Sequence, residues 1–200
     1  MSANSITTTR YYDENSLEYS KRSSGKEMFF LLDPFCERLP KNGRVLDLGA
    51  GPGRDSLVLT QRGYETFSLD LSIGMLQECR KRGLVNPVKS DFMDLPFRSE
   101  VFVGVWACAS LLHSGKSALS RILSQVHLIL AKSGVFAVSV KEGSGEMNDE
   151  NGRFWTFYQE QELKGIIESC GFTMEYFVKT TDQAGRPISW LSFIFLKQNY

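Results

Sequence analysis

The sequence predicts an α/β fold: a seven-stranded, mostly parallel sheet with helices on both faces and an antiparallel last strand. Three observations carry it. Short apolar runs alternate with segments of helical spacing from residue 45 to residue 171, the pattern of successive strand–helix crossovers. The first run opens directly into Gly49-Ala50-Gly51-Pro52-Gly53. Two late apolar runs, near 173–179 and 188–196, have no helix between them, so they form a hairpin and the final strand reverses.

Taken in order, residues 1–25 are polar, contain Tyr11, Tyr12 and Tyr19, and read as a helical or irregular cap, or lid, set before a domain at 26–200. Met28, Phe29, Leu31, Leu32 and Phe35 recur at helical spacing, predicting a helix over 27–38 that Pro40 ends. A buried strand at 45–48 meets the glycines, and a helix over 55–62 is closed by Gly63. A strand at 66–69 precedes a helix at 73–82 with Ser72 as its N-cap and Gly83 beyond its end. Strands at 85–89 and 101–107, an amphipathic helix at 119–131, a strand at 135–140 and a helix at 159–169 complete the alternation.

Two hundred residues suit one domain, and 42% apolar with 23% charged residues is globular composition. Lys+Arg and Asp+Glu both number 23, so no net field draws the chain to nucleic acid or an anionic membrane. Arg80-Lys81-Arg82 reads as a solvated helix end. Cys36, Cys79, Cys108 and Cys170 are widely spaced and read as reduced thiols, with no disulfide frame and no metal site. The start of the chain is polar, without the pattern of a secretory leader, and the longest apolar stretch, 101–112, is too short to span a bilayer. These features predict a soluble, cytoplasmic protein.

The chemistry concentrates on three acidic loops. Glycines at alternate positions after a strand let the backbone approach a ligand where a Cβ would collide, and the helix beginning near Arg54 points its free N–H groups there. The spacing is G-x-G-x-G, not the G-x-G-x-x-G of dinucleotide sites, and Asp47 before it suits an ammonium-bearing ligand better than a pyrophosphate. Asp70 ends the second strand, where an acid accepts hydrogen bonds from ribose hydroxyls. Asp91 and Phe92 follow the third strand, where an acid can accept from an adenine amino group and an aromatic ring can stack on the base.

Val45-Leu46-Asp47-Leu48-Gly49-Ala50-Gly51-Pro52-Gly53-Arg54, Leu69-Asp70-Leu71-Ser72 and Asp91-Phe92 resemble the successive motifs of class I S-adenosylmethionine (SAM)-dependent methyltransferases. The resemblance runs from about Tyr11 to Lys197, and segments such as Trp106-Ala107-Cys108-Ala109 narrow it to small bacterial, tellurite-resistance-like proteins, without naming a substrate. It implies a Rossmann-like three-layer sandwich and SAM as cofactor. Asp47, Gly49, Ala50, Gly51, Gly53 and Arg54 would surround the methionine moiety, Asp70 and Leu71 the ribose, Asp91 and Phe92 the adenine, and Ala107 and Ser110 the sulfonium. The Asn/Asp-Pro-Pro-Tyr/Phe motif of nucleobase amino-methyltransferases is replaced by Ala107-Cys108-Ala109-Ser110. His113 is the candidate catalytic base or substrate contact, with a structural role as its alternative; His127, in mid-helix, reads as structural. Lys141 and Arg153 either bind an anionic acceptor or are solvated charge, and Phe154 to Tyr158 either wall the pocket or fill core. The expected reaction is methyl transfer to a small-molecule acceptor, with a SAM-binding module lacking turnover, or an RNA or protein methyltransferase, as alternatives.

Overall fold

The computed structural model describes residues 3–25, 28–182 and 185–199. Two short helices, α1 (Ala3–Glu14) and α2 (Ser16–Ser23), precede α3 (Phe29–Glu37), β1 (Arg44–Leu48), α4 (Arg54–Gln61), β2 (Glu65–Asp70) and α5 (Ile73–Lys81). Then come β3 (Pro87–Lys89), β4 (Phe102–Cys108), α6 (Lys116–Ile129), β5 (Leu130–Lys141), β6 (Glu146–Asn148), β7 (Phe154–Thr156), α7 (Glu160–Ser169), β8 (Phe172–Thr181) and β9 (Ser189–Lys197). Glu27, expected to open the third helix, lies outside the described residues.

Seven strands form one sheet in the order β3-β2-β1-β4-β5-β9-β8, and only β9 runs against the rest. The expected hairpin is therefore present, with β9 inserted between β5 and β8. Side chains alternate across the sheet, so its two faces bury different clusters. One packs Leu46, Val105, Phe136 and Phe193 under Ile122 and Leu123 of α6 and Ile167 of α7. The other packs Val45, Trp106 and Ile194 against Leu31, Leu32 and Phe35 of α3 and Leu59 of α4. The result is three layers, as expected of a Rossmann-like sandwich.

Local chemistry sets several boundaries. The Ser72 hydroxyl accepts from the Met75 amide and starts α5 as the N-cap. Gln159 and Glu162 form a reciprocal capping box that starts α7. Helix α6 begins at Lys116, three residues before the apolar periodicity, and ends at Ile129, where β5 takes over with Ser133 at a φ of 56°. The β6–β7 hairpin was not anticipated. Its turn is organised by Asp149, whose carboxylate accepts from the amides of Asn151 and Arg153.

Candidate active site

The carboxyl ends of β1, β2, β3, β4 and β5 open into two adjoining cavities of about 560 and 740 Å³. Gly49, Gly51, Ala109, His113, Tyr12 and Tyr19 line both. The first cavity extends over Asp70, Leu71, Asp91, Phe92 and Ser110. The second extends over Asp47, Ala50 and Arg54 toward Lys141, Trp155 and Trp190.

The loop after β1 is held by backbone contacts. The amides of Gly49 and Ala50 donate to the Leu69 carbonyl at 2.8 and 2.9 Å, and Gly51 N–H donates to Asp70 Oδ2 at 2.8 Å. Gly49, at a φ of 79°, lies so close to the β4 loop that a Cβ would fall 2.3 Å from Ser110 Cβ. Gly51 is also left-handed, at 55°, but a Cβ there would project into open space. Only glycine serves both positions, the first for packing and the second to keep that space clear.

Asp70 receives a second bond from the Ser72 amide at 2.9 Å, yet burial still pushes its carboxyl up to about 6. Asp47 is buried and accepts from the Ser56 hydroxyl at 2.7 Å; burial, reinforced by Asp55, pushes it up to about 8. The Asp91 carboxylate turns back to the Met93 amide at 3.0 Å while lining the first cavity. Ser110 Oγ is buried with no hydrogen-bond partner among the described residues. Gly53 and Ala107 line neither cavity. Gly53 packs against Leu84 and Cys79 where α4 begins, and Ala107 lies in the core cluster. Ala109, at a φ of 53°, takes the cavity position instead.

Helices α1 and α2 roof the opening. Thr8 Oγ1 accepts from the Phe154 amide at 2.9 Å, and Asp13 Oδ1 accepts from the Ser72 hydroxyl and the Gly74 amide at 2.6 and 2.9 Å. Between these fastenings Tyr12 meets His113. His113 Nδ1 sits 2.7 Å from the Phe154 carbonyl, which can only accept, so Nδ1 carries the proton and Nε2 accepts from the Tyr12 hydroxyl at 2.8 Å. Burial holds the imidazole down to about 4, so it is neutral.

Three ion pairs line the second cavity, and each of the chain's three tryptophans joins one. Trp106 Nε1 donates to Asp55, which pairs with Arg54. Trp155 Nε1 donates to Asp149, which pairs with Arg153; Trp190 Nε1 donates to Asp182, which pairs with Arg186. Lys141 is buried rather than solvated, and its Nζ stands 3.4 Å from the centre of the Trp155 ring. Burial, with help from Arg186 and Arg153, pulls its pKa down to about 8. The aromatic segment divides its duties, Phe154, Trp155 and Phe157 lining cavities and Tyr158 filling core. Cys108 faces the second cavity with its thiol pushed up by burial, which leaves it a poor nucleophile.

The family described as Methyltransferase domain matches residues 45–134. The malonyl-[acyl-carrier protein] O-methyltransferase of Salmonella typhimurium is 36% identical over 94 residues, covering 46% of this chain and 37% of that protein. The chain thus spans well under half the length of that relative. The Burkholderia thailandensis 1,6-didemethyltoxoflavin-N1-methyltransferase, solved with 1,6-didemethyltoxoflavin and S-adenosylhomocysteine, aligns with a TM-score of 0.83 at 20% identity, over 100% of this chain and 92% of that one. The [4+2]-cyclase SpnF aligns with a TM-score of 0.77 at 17% identity, over 100% and 97%. At these identities the likeness is one of fold, and the fold serves more than one reaction.

Proposed function

We propose that this chain, matched over residues 45–134 by the methyltransferase-domain family, is a class I SAM-dependent methyltransferase domain that transfers a methyl group from SAM to a small-molecule acceptor. The observation that carries the reading is the pair of adjoining cavities that share the glycine loop and His113 under one roof. In this reading the first cavity holds the nucleoside: Asp70 and Leu71 the ribose, Asp91 and Phe92 the adenine. The open space at Gly51 and the unpartnered Ser110 hydroxyl fit a ligand passing between the cavities. Asp47, Gly49, Ala50 and Arg54 then surround the methionine end, with Gly53 shaping the loop from behind and Ala107 supporting Ala109.

When bound, SAM supplies a methyl on a sulfonium, whose C–S electron pair returns to sulfur as the acceptor's lone pair takes the carbon. The chain's part is orientation and exclusion of water. His113 acts in this account as a positioning residue. Its Nε2 is taken by Tyr12, and a neutral imidazole held near 4 is a weak base. Cavities of about 560 and 740 Å³ under the roof support a metabolite-sized acceptor in this reading, and the four free cysteines fit a reducing cytoplasm. The Burkholderia thailandensis structure, with 1,6-didemethyltoxoflavin beside its S-adenosylhomocysteine, supports an acceptor of that size.

Calorimetry with S-adenosylhomocysteine and with NAD tests the cofactor. Binding of the first and not the second is expected; binding of NAD in its place would overturn the reading. Binding without turnover of SAM on any acceptor would leave a SAM-binding module.

A further inference from the structure

Lys141 stands apart from every other buried charge around the second cavity. Asp55, Asp149 and Asp182 are each paired with an arginine and capped by an indole N–H, so all three acids are already committed. Asp47, the remaining acid on that cavity, is bonded to Ser56. Lys141 is 9% exposed and its Nζ makes no hydrogen bond or ion pair with any of the described residues; it rests against the Trp155 face, with Trp190 further off at 5.9 Å. An ammonium set at the wall of a cavity, against an aromatic face and with no acid bonded to it, is poorly hydrated and unneutralised, a state that a ligand anion entering the cavity would relieve.

Its place in the sheet says which ligand. Asp70 and the Asp91 loop follow β2 and β3, the glycine loop follows β1, and His113 follows β4. Lys141 ends β5, opposite Trp190 on β9, on the far side of the glycine loop from the nucleoside residues. We propose that the acceptor is a small organic anion and that Lys141, seated between the Trp155–Asp149–Arg153 and Trp190–Asp182–Arg186 trios, receives its negative group. The two trios would hold Lys141 in place and, with their own acids neutralised, present no repulsion to an incoming anion. This specificity rests on the proposed methyl transfer for its setting, and its test reads binding alone.

The full-length protein, loaded with S-adenosylhomocysteine, is titrated with matched probes: aliphatic, aromatic and heteroaromatic carboxylates, each beside its uncharged amide. Quenching of tryptophan fluorescence and calorimetry report binding. At least one carboxylate is expected to bind and to be preferred over its amide by tenfold or more, about the worth of one charge-assisted hydrogen bond. Lys141→Met should abolish that preference, Lys141→Arg should restore part of it, and neither should change the affinity for S-adenosylhomocysteine. Amides binding as well as carboxylates, no carboxylate binding at all, or a preference that survives Lys141→Met would each overturn the proposal. So would a loss of S-adenosylhomocysteine affinity in the folded Lys141→Met variant, which would give Lys141 to the cofactor. Failure of the unsubstituted protein to bind S-adenosylhomocysteine would instead strike the methyltransferase reading itself.

Discussion

Asp70 carries two duties through one carboxylate, fixing the amides of Gly51 and Ser72 while facing the first cavity. Removing it leaves those amides unpaired and strips the proposed ribose contact. Asp70→Ala is therefore expected to weaken S-adenosylhomocysteine binding by about 1.5–3 kcal/mol, the scale of a hydrogen bond to a charged group. Unchanged affinity by calorimetry would remove Asp70 from the site. Gly51→Val, whose side chain would enter the open space and strain a left-handed backbone, should lose binding altogether. The folded variant binding normally would show that the space is not used. His113 gives a pH signature. Its folded pKa, about 4, lies below its ordinary value of 6.5, so the unfolded chain takes up a proton across this window that the folded chain refuses. Stability is lost as pH falls from about 6.5 toward 4 on this account. The raised carboxyls of Asp47 and Asp70 act in the opposite sense, so the comparison is with His113→Asn. The melting temperature of the unsubstituted protein should drop relative to that variant between pH 7 and pH 5; parallel curves would mean that the imidazole is not held neutral.

Among the elements, α1 joins the two halves of the cleft: Thr8 on the hairpin, Tyr12 on His113 and Asp13 at the start of α5. Deleting residues 1–20 should cut turnover far more than it lowers the melting temperature, because closure serves orientation and exclusion of water. Full turnover by the truncated protein would end the lid's role. The more delicate Tyr12→Phe leaves His113 Nε2 without a donor and should lower kcat/KM by about tenfold, the cost of one unsatisfied partner. The central elements were legible because their signals are local. The apolar run into Gly49, the Ser72 cap and the missing helix between β8 and β9 each sit within a few residues of what they determine. The β6–β7 hairpin was not, since its three-residue strands carry no periodicity and the Asp149 contacts that shape its turn are made in three dimensions. The start of α6 was missed because Lys116, Ser117 and Ala118 precede the first buried leucine, Leu119, and so carry none of the apolar spacing that identifies a helix.

At the scale of the molecule, the site is assembled from contacts that sequence spacing cannot display. Tyr12 and His113 are 101 positions apart, and the trios around Lys141 join acids, arginines and indoles that only the hairpin and the β8–β9 turn bring to one cavity. The motifs located the proposed cofactor end, while the proposed acceptor end rests on topology: the residues proposed for the nucleoside lie over β2 and β3, and Lys141 and Trp190 over β5 and β9. The proposed chemistry is the passage of a methyl group from SAM to a small molecule. Incubating the protein with methyl-labelled SAM and cell extract, then separating metabolites, RNA and protein by size, measures it directly. The expected result is label in the metabolite fraction, dependent on Asp70 and on residues 1–20. Label recovered chiefly in RNA or protein, or SAM left intact by a protein that binds it, would contradict the account.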